Sequence, residues 1–170
     1  MGFLEDLMAF LEQNQADPVV YLLILFVFSV LVAVVLPIPI EIALIWNPSV
    51  PYVLKAAVLG AGKGVGSLAV FALGLKVEPV VRKWSKYRTF KVILDKCEAF
   101  VARYGYVALY VILSIPLMTD TIPIYLFSIF NKEGTAMEWR LFGLVNFFAG
   151  ITRAAILWLL FAAFGINLFG

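Results

Sequence analysis

The sequence contains no histidine and a single cysteine, Cys97, and only 14% of its 170 residues carry charge. A soluble domain averages roughly 25% charged residues. Without histidine there is no His-based catalytic triad, no histidine zinc site and no haem ligation by His. With one cysteine, neither an intrachain disulfide nor a multi-cysteine metal site can form. The acids are scattered and do not gather as carboxylates do around Mg²⁺. No metal or cofactor is therefore expected, and an enzyme of membrane lipids is disfavoured.

What is abundant is apolar side chain, 64% of the chain. No charge occurs from Pro18 through Ile40, from Tyr104 through Thr119, or from Ala154 onward. A helix needs about 20 mostly apolar residues to cross the hydrocarbon core, so these runs are candidate spans. The expectation is an all-α integral membrane protein, multi-pass, in the inner (cytoplasmic) membrane.

Charge is also unevenly divided. Residues 1–17 hold Glu5, Asp6, Glu12 and Asp17 and no base, which does not read as a signal peptide. Residues 76–103 hold eight bases against Glu78, Asp95 and Glu98. Such a segment belongs on the cytoplasmic side, which would leave residue 1 inside and Gly170 outside. A nucleic-acid partner is not expected, because basic flanks of this kind are ordinary beside membranes.

Along the chain, apolar residues at helical spacing predict an amphipathic surface helix over 1–17. A first span is expected over 19–35. Pro37 and Pro39 then break the helix just before Glu41, and Asn47-Pro48 ends a piece too short to cross. A re-entrant hairpin is the natural reading. A span to residue 75 follows, completing a first repeat over 36–75. Gly60, Gly62, Gly64 and Gly66 interrupt it around Lys63. These glycines lack the Walker spacing and read as a helix-packing surface. Residues 76–103 predict a basic interfacial helix. A second repeat is expected over 104–165, where Pro116 and Pro123 around Asp120 read as a second hairpin in preference to one long tilted span, followed by a span carrying Arg153.

Aligning Pro37 with Pro116 places Glu41 on Asp120. Each hairpin precedes a span with one mid-span cation, and each span is read as ending in glycine, Gly74 or Gly165. Opposed hairpins of this kind describe an inverted repeat, a design common among transporters. A charge in mid-membrane costs about 2.5–3.5 kcal/mol on insertion scales, so Glu41, Lys63, Asp120 and Arg153 need partners or water. They are the candidate substrate or ion path. The competing reading is a static pair of buried salt bridges. Asn146, Thr119, Thr121 and Thr152 could line the same cavity, and each is equally suited to hydrogen-bonding adjacent backbone in a packed helix.

At Pro37-Ile38-Pro39-Ile40-Glu41 the chain resembles the DedA family, a branch of the VTT-domain (SNARE-associated Golgi protein) superfamily. Arg103-Tyr104-Gly105, the proline-containing stretch 114–123, and Asn146 with Gly150 are similar to later elements of that family. Ala33 stands where members often have an acid, and Ala149 where an aromatic precedes the arginine. The small multidrug-export family has a comparable two-hairpin pattern. The DedA resemblance implies flipping or scrambling of an anionic lipid, a phospholipid or a polyprenyl phosphate. The alternative is proton- or ion-coupled export of small solutes. Implied partners are membrane lipids and protons or ions, with homo-oligomer formation left open.

Overall fold

Asp17 starts the first helix: its carboxylate accepts the backbone N–H groups of Val19 at 2.8 Å and Val20 at 3.2 Å, and Pro18 takes the first helical position. The structure is a computed structural model that describes residues 17–164 except 37, 46, 84–87 and 132–135. For residues 40, 42, 45, 77–83 and 88–94 it describes the backbone alone. The expected surface helix, all but Asp17, lies outside the described residues, as do Pro37 and Gly165.

Five α-helices and a 3-10 helix are described: α1 (Pro18–Val34), the 3-10 helix (Ile40–Ile45), α2 (Tyr52–Lys83), α3 (Arg88–Ser114), α4 (Thr121–Ile129) and α5 (Trp139–Ala163). No strand occurs among the described residues. Within α2, α3 and α5, the stretches Tyr52–Lys76, Asp95–Ser114 and Trp139–Ala163 are long and apolar enough to cross a membrane. Among the described residues the fold is all-helical, and these three helices are compatible with a membrane protein. Helix α1, with 17 residues, stands at the lower end of the spanning range of about 17–25. At about 1.5 Å per residue, the 9-residue α4 is too short to cross.

Helix α2 is central and packs most extensively on α5 and α1, and next on α4. Its glycines explain how. Successive residues turn by about 100°, so Gly60 and Gly64 point away from Gly62 and Gly66. A methyl on Gly60 would come within 2.8 Å of the Phe147 carbonyl of α5, and one on Gly66 within 2.7 Å of Ala33 of α1. Each glycine pair thus serves a different neighbour, where the sequence suggested one packing surface. Ala33 is small for the same reason, since an acid there would collide with α2.

The segment 76–103 departs from expectation. Residues 76–83 continue α2, through Pro79, and Arg88 opens a helix that runs unbroken past Tyr104 to Ser114. The basic stretch is therefore the ends of two long helices and not a separate surface helix. No capping residue stands near Tyr104 to start a new helix, and Phe100, Val101 and Leu109 keep α3's apolar spacing. Gly74 does not end its span either. It lies inside α2, where its missing side chain admits Ser128 of α4.

Two apolar cores result. One gathers α1, the 3-10 helix, the start of α2 and the end of α5, through Leu25, Phe28, Leu44, Leu59 and Leu157. The other gathers α3, α4, the start of α5 and the later part of α2, through Val70, Leu109, Leu113, Phe127 and Phe142. Along α2, Lys63 falls between Leu59 of the first core and Val70 of the second. Along α5, Arg153 falls between Ala149 of the second and Leu157 of the first.

Candidate functional site

The seam between the cores holds Glu41, Lys63, Asp120 and Arg153. The 3-10 helix carries Glu41 in its first turn, α2 and α5 carry the cations, and Asp120 immediately precedes α4. All four side chains are buried, Asp120 and Lys63 at 0% exposure, Arg153 at 1% and Glu41 at 6%. Lys63 Nζ donates to Asp120 Oδ1 at 3.0 Å. Arg153 Nη2 lies 2.9 Å from the same oxygen, an ion pair whose N–H directions are off the line of a hydrogen bond. Arg153 Nη1 lies 3.4 Å from Glu41 Oε1. With both acids ionised, the four formal charges sum to zero.

Backbone groups complete the frame. Arg153 donates from Nε to the Leu113 carbonyl at 2.8 Å and from Nη1 to the Met118 carbonyl at 3.0 Å. The Leu117 N–H donates to Glu41 Oε1 at 2.9 Å. Leu117 takes a left-handed conformation, φ 62°, which is costly for a leucine and recurs at functional sites. Pro116 ends α3's run and Leu117 then turns the chain, so both its neighbouring groups face the charges. Pro123 sits in the first turn of α4, where its missing N–H breaks no helical bond.

Asp120 occupies the N-cap position of α4 yet makes no side-chain cap there; its carboxylate is given to Lys63 and Arg153. Three polar atoms in the cluster have no hydrogen-bond partner: Glu41 Oε2, Asp120 Oδ2 and Arg153 Nη2. A buried polar atom left without a hydrogen bond is costly, and in Arg153 Nη2 the ion pair with Asp120 offsets part of that cost.

Sequence reasoning named these four charges but could not assign their pairs, because pairing depends on how each helix is rotated. Of the four further polar residues that could line the site or bond within packed helices, three make other bonds. Asn146 Nδ2 donates to the Phe142 carbonyl, and Asn146 Oδ1 has no partner. Thr152 bonds Tyr110 at 2.6 Å, and Thr121 donates to the Val32 and Leu36 carbonyls, tying α4 to the end of α1. No bond or ion pair described for the cluster involves Thr119. The four charges are buried together. They are packed in contact, and the two grooves described on the molecule are apolar and are lined by other residues.

Lys55 escaped the sequence reading. It is 2% exposed, donates to the Leu44 carbonyl at 3.2 Å, and stands 5.6 Å from the Tyr21 ring centre. Near Pro51 it reads as an ordinary cation at a span's end. Its spacing relates it to Lys63, since positions 55, 59 and 63 share one face of a helix, but says nothing of burial. Tyr21 donates to the Ala43 carbonyl at 2.6 Å, so Lys55 and Tyr21 together hold the end of the 3-10 helix whose beginning carries Glu41.

No family model, no curated protein and no solved structure matches this chain.

Proposed function

We propose that this protein is a transporter of the cell inner membrane that flips or scrambles an anionic lipid, a phospholipid or a polyprenyl phosphate. The observation that carries this reading is Arg153, whose guanidinium lies against both Glu41 and Asp120. Those two acids follow the two helix breaks, so one cation links both interruptions of the fold. In this reading the two short elements are re-entrant hairpins of an inverted repeat, and the cluster is their closed junction. A phosphate entering from one side would compete with the carboxylates for Lys63 and Arg153, and the lipid tails would stay in the bilayer. Phosphate and carboxylate both suit a guanidinium fork, which makes the exchange chemically direct. The resemblance at Pro39 and Glu41 to the DedA family supports the same substrate class.

Burial of the four charges favours a second reading, a purely structural lock. Transport and lock differ in what charge removal does. Liposomes containing the protein and a fluorescent phospholipid, with the outer leaflet bleached by a membrane-impermeant reductant, report movement between leaflets. Glu41→Gln should remain folded and lower that movement at least tenfold. A folded Glu41→Gln protein with unchanged lipid movement would remove Glu41 from the path. Defined proton and ion gradients in the same vesicles would separate lipid movement from coupled export of a soluble solute.

A further inference from the structure

The last carbonyls of a helix have no partner within it, and buried ones must find one elsewhere. At the end of the 3-10 helix these include the carbonyls of Ala43 and Leu44, both buried residues. Tyr21 of α1 donates to the first at 2.6 Å, and Lys55 of α2 donates to the second at 3.2 Å. Lys55 thereby brings a buried cation to the negative end of the short helix, where it is electrostatically favoured. A 3-10 helix turns once in about three residues and rises about 2 Å per residue, so Leu44 stands one turn, about 6 Å, from Glu41 on the same edge. A grip on Leu44 is a grip on the turn that presents Glu41.

Lys55 has a counterpart on its own helix. Lys63, about 12 Å farther along α2 at 1.5 Å per residue, donates to Asp120 at the start of α4. One helix thus holds both short elements, each by a lysine, and Arg153 of α5 reaches the acid of each. The backbones of α1 and α2 meet at Gly62, where a methyl would collide with Ser29, so Tyr21 and Lys55 pull from one frame. We infer that Lys55 is a positioning residue for Glu41: its grip on Leu44 sets Glu41 against Arg153 and against the Leu117 N–H. The inference rests on the transport reading only for what Glu41 does once it is in place.

The Leu117 amide reports where Glu41 stands, because its N–H donates to Glu41 Oε1 at 2.9 Å. It can be observed alone: Pro116-Leu117 is the single Pro-Leu pair in the sequence, so proline labelled at its carbonyl carbon and leucine at its nitrogen give one NMR signal. Phe130, in the single Ile-Phe pair, is the control, since its N–H donates to the Leu126 carbonyl at the far end of α4. Hydrogen exchange at both amides is followed in the full chain in detergent. Lys55→Met removes the donor and should quicken exchange at Leu117 about tenfold, the effect of losing a hydrogen bond to a charged group, with Phe130 unchanged. Lys55→Arg keeps a cationic donor and should exchange as the parent does. Should Lys55→Met not fold, Tyr21→Phe loosens the same helix at Ala43 and should quicken Leu117 alone. Unchanged exchange at Leu117 would overturn the inference. Equal quickening at Leu117 and Phe130 would overturn it too, leaving Lys55 as a support of the whole fold. In liposomes, Lys55→Met should lower lipid movement as far as Glu41→Gln does, and the double variant no further. Quickened exchange with undiminished lipid movement would uphold the positioning role and defeat the transport reading alone.

Discussion

Leu117 donates its backbone N–H to Glu41 Oε1 across 76 residues of sequence while holding a left-handed conformation. A left-handed non-glycine residue costs about 1–2 kcal/mol, and the leucine side chain is largely exposed. The strain therefore serves the backbone's direction and not the side chain's packing. Leu117→Gly keeps the N–H and should leave thermal stability in detergent unchanged or raise it by up to about 1 kcal/mol. Leu117→Val, branched at Cβ, should lower it by about 1–2 kcal/mol. Equal losses in the two variants would show that the side chain matters more than the turn.

The two acids are not equivalent. Asp120 faces both cations, and Glu41 faces Arg153 alone, at the longer distance of 3.4 Å. Asp120→Asn should thus cost about 3–5 kcal/mol, the penalty for stranding buried charge. Glu41→Gln can still accept from Leu117 and should cost about 1–2 kcal/mol. Denaturation of both variants, compared in one detergent, checks the order. The reverse order would mean that Arg153 is held chiefly through Glu41.

The glycines of α2 can be ranked in the same way. A methyl on Gly62 would press on Ser29 and the Phe26 carbonyl, while one on Gly64 would stop 3.3 Å from the Gly143 carbonyl. Gly62→Ala should destabilise by about 1–3 kcal/mol, the usual cost of overpacking. Gly64→Ala should stay within about 1 kcal/mol of the parent. Melting temperatures of the two purified proteins decide it, and indistinguishable values would rule out the close α1–α2 approach.

Tyr21→Phe removes the donor to the Ala43 carbonyl and leaves that oxygen buried without it. The expected loss is about 1–3 kcal/mol, the penalty for an unsatisfied buried acceptor. Protease cleavage within residues 40–50 should quicken more than cleavage elsewhere. Uniform quickening would mean that Tyr21 supports the whole bundle and not the 3-10 helix.

Much of this was visible in the residues themselves. Glu41, Lys63, Asp120 and Arg153 stood out because each interrupts an apolar run, and their cost in a membrane demanded company. The short elements were legible from Pro39, Pro116 and Pro123. Three things were not. Lys55 carries no signal of burial in the sequence, because burial of a lysine depends on what folds over it. The junction near residue 103 was read as a boundary from its change in charge, yet charge does not stop a helix that has no competing cap. The framing by Leu113, Met118 and Leu117 uses backbone groups, which every residue possesses and no side-chain pattern reveals.

The opposed glycine pairs of α2 have a mechanical consequence. Backbones in such close contact on two sides leave α2 no room to rotate or slide against α1 or α5 without steric collision. These three helices must behave as a single rigid stator. Gly74 sets Ser128 of α4 just as close to α2, so any rearrangement that parts Arg153 from Glu41 and Asp120 falls to the 3-10 helix and to the turn that leads into α4 at Asp120.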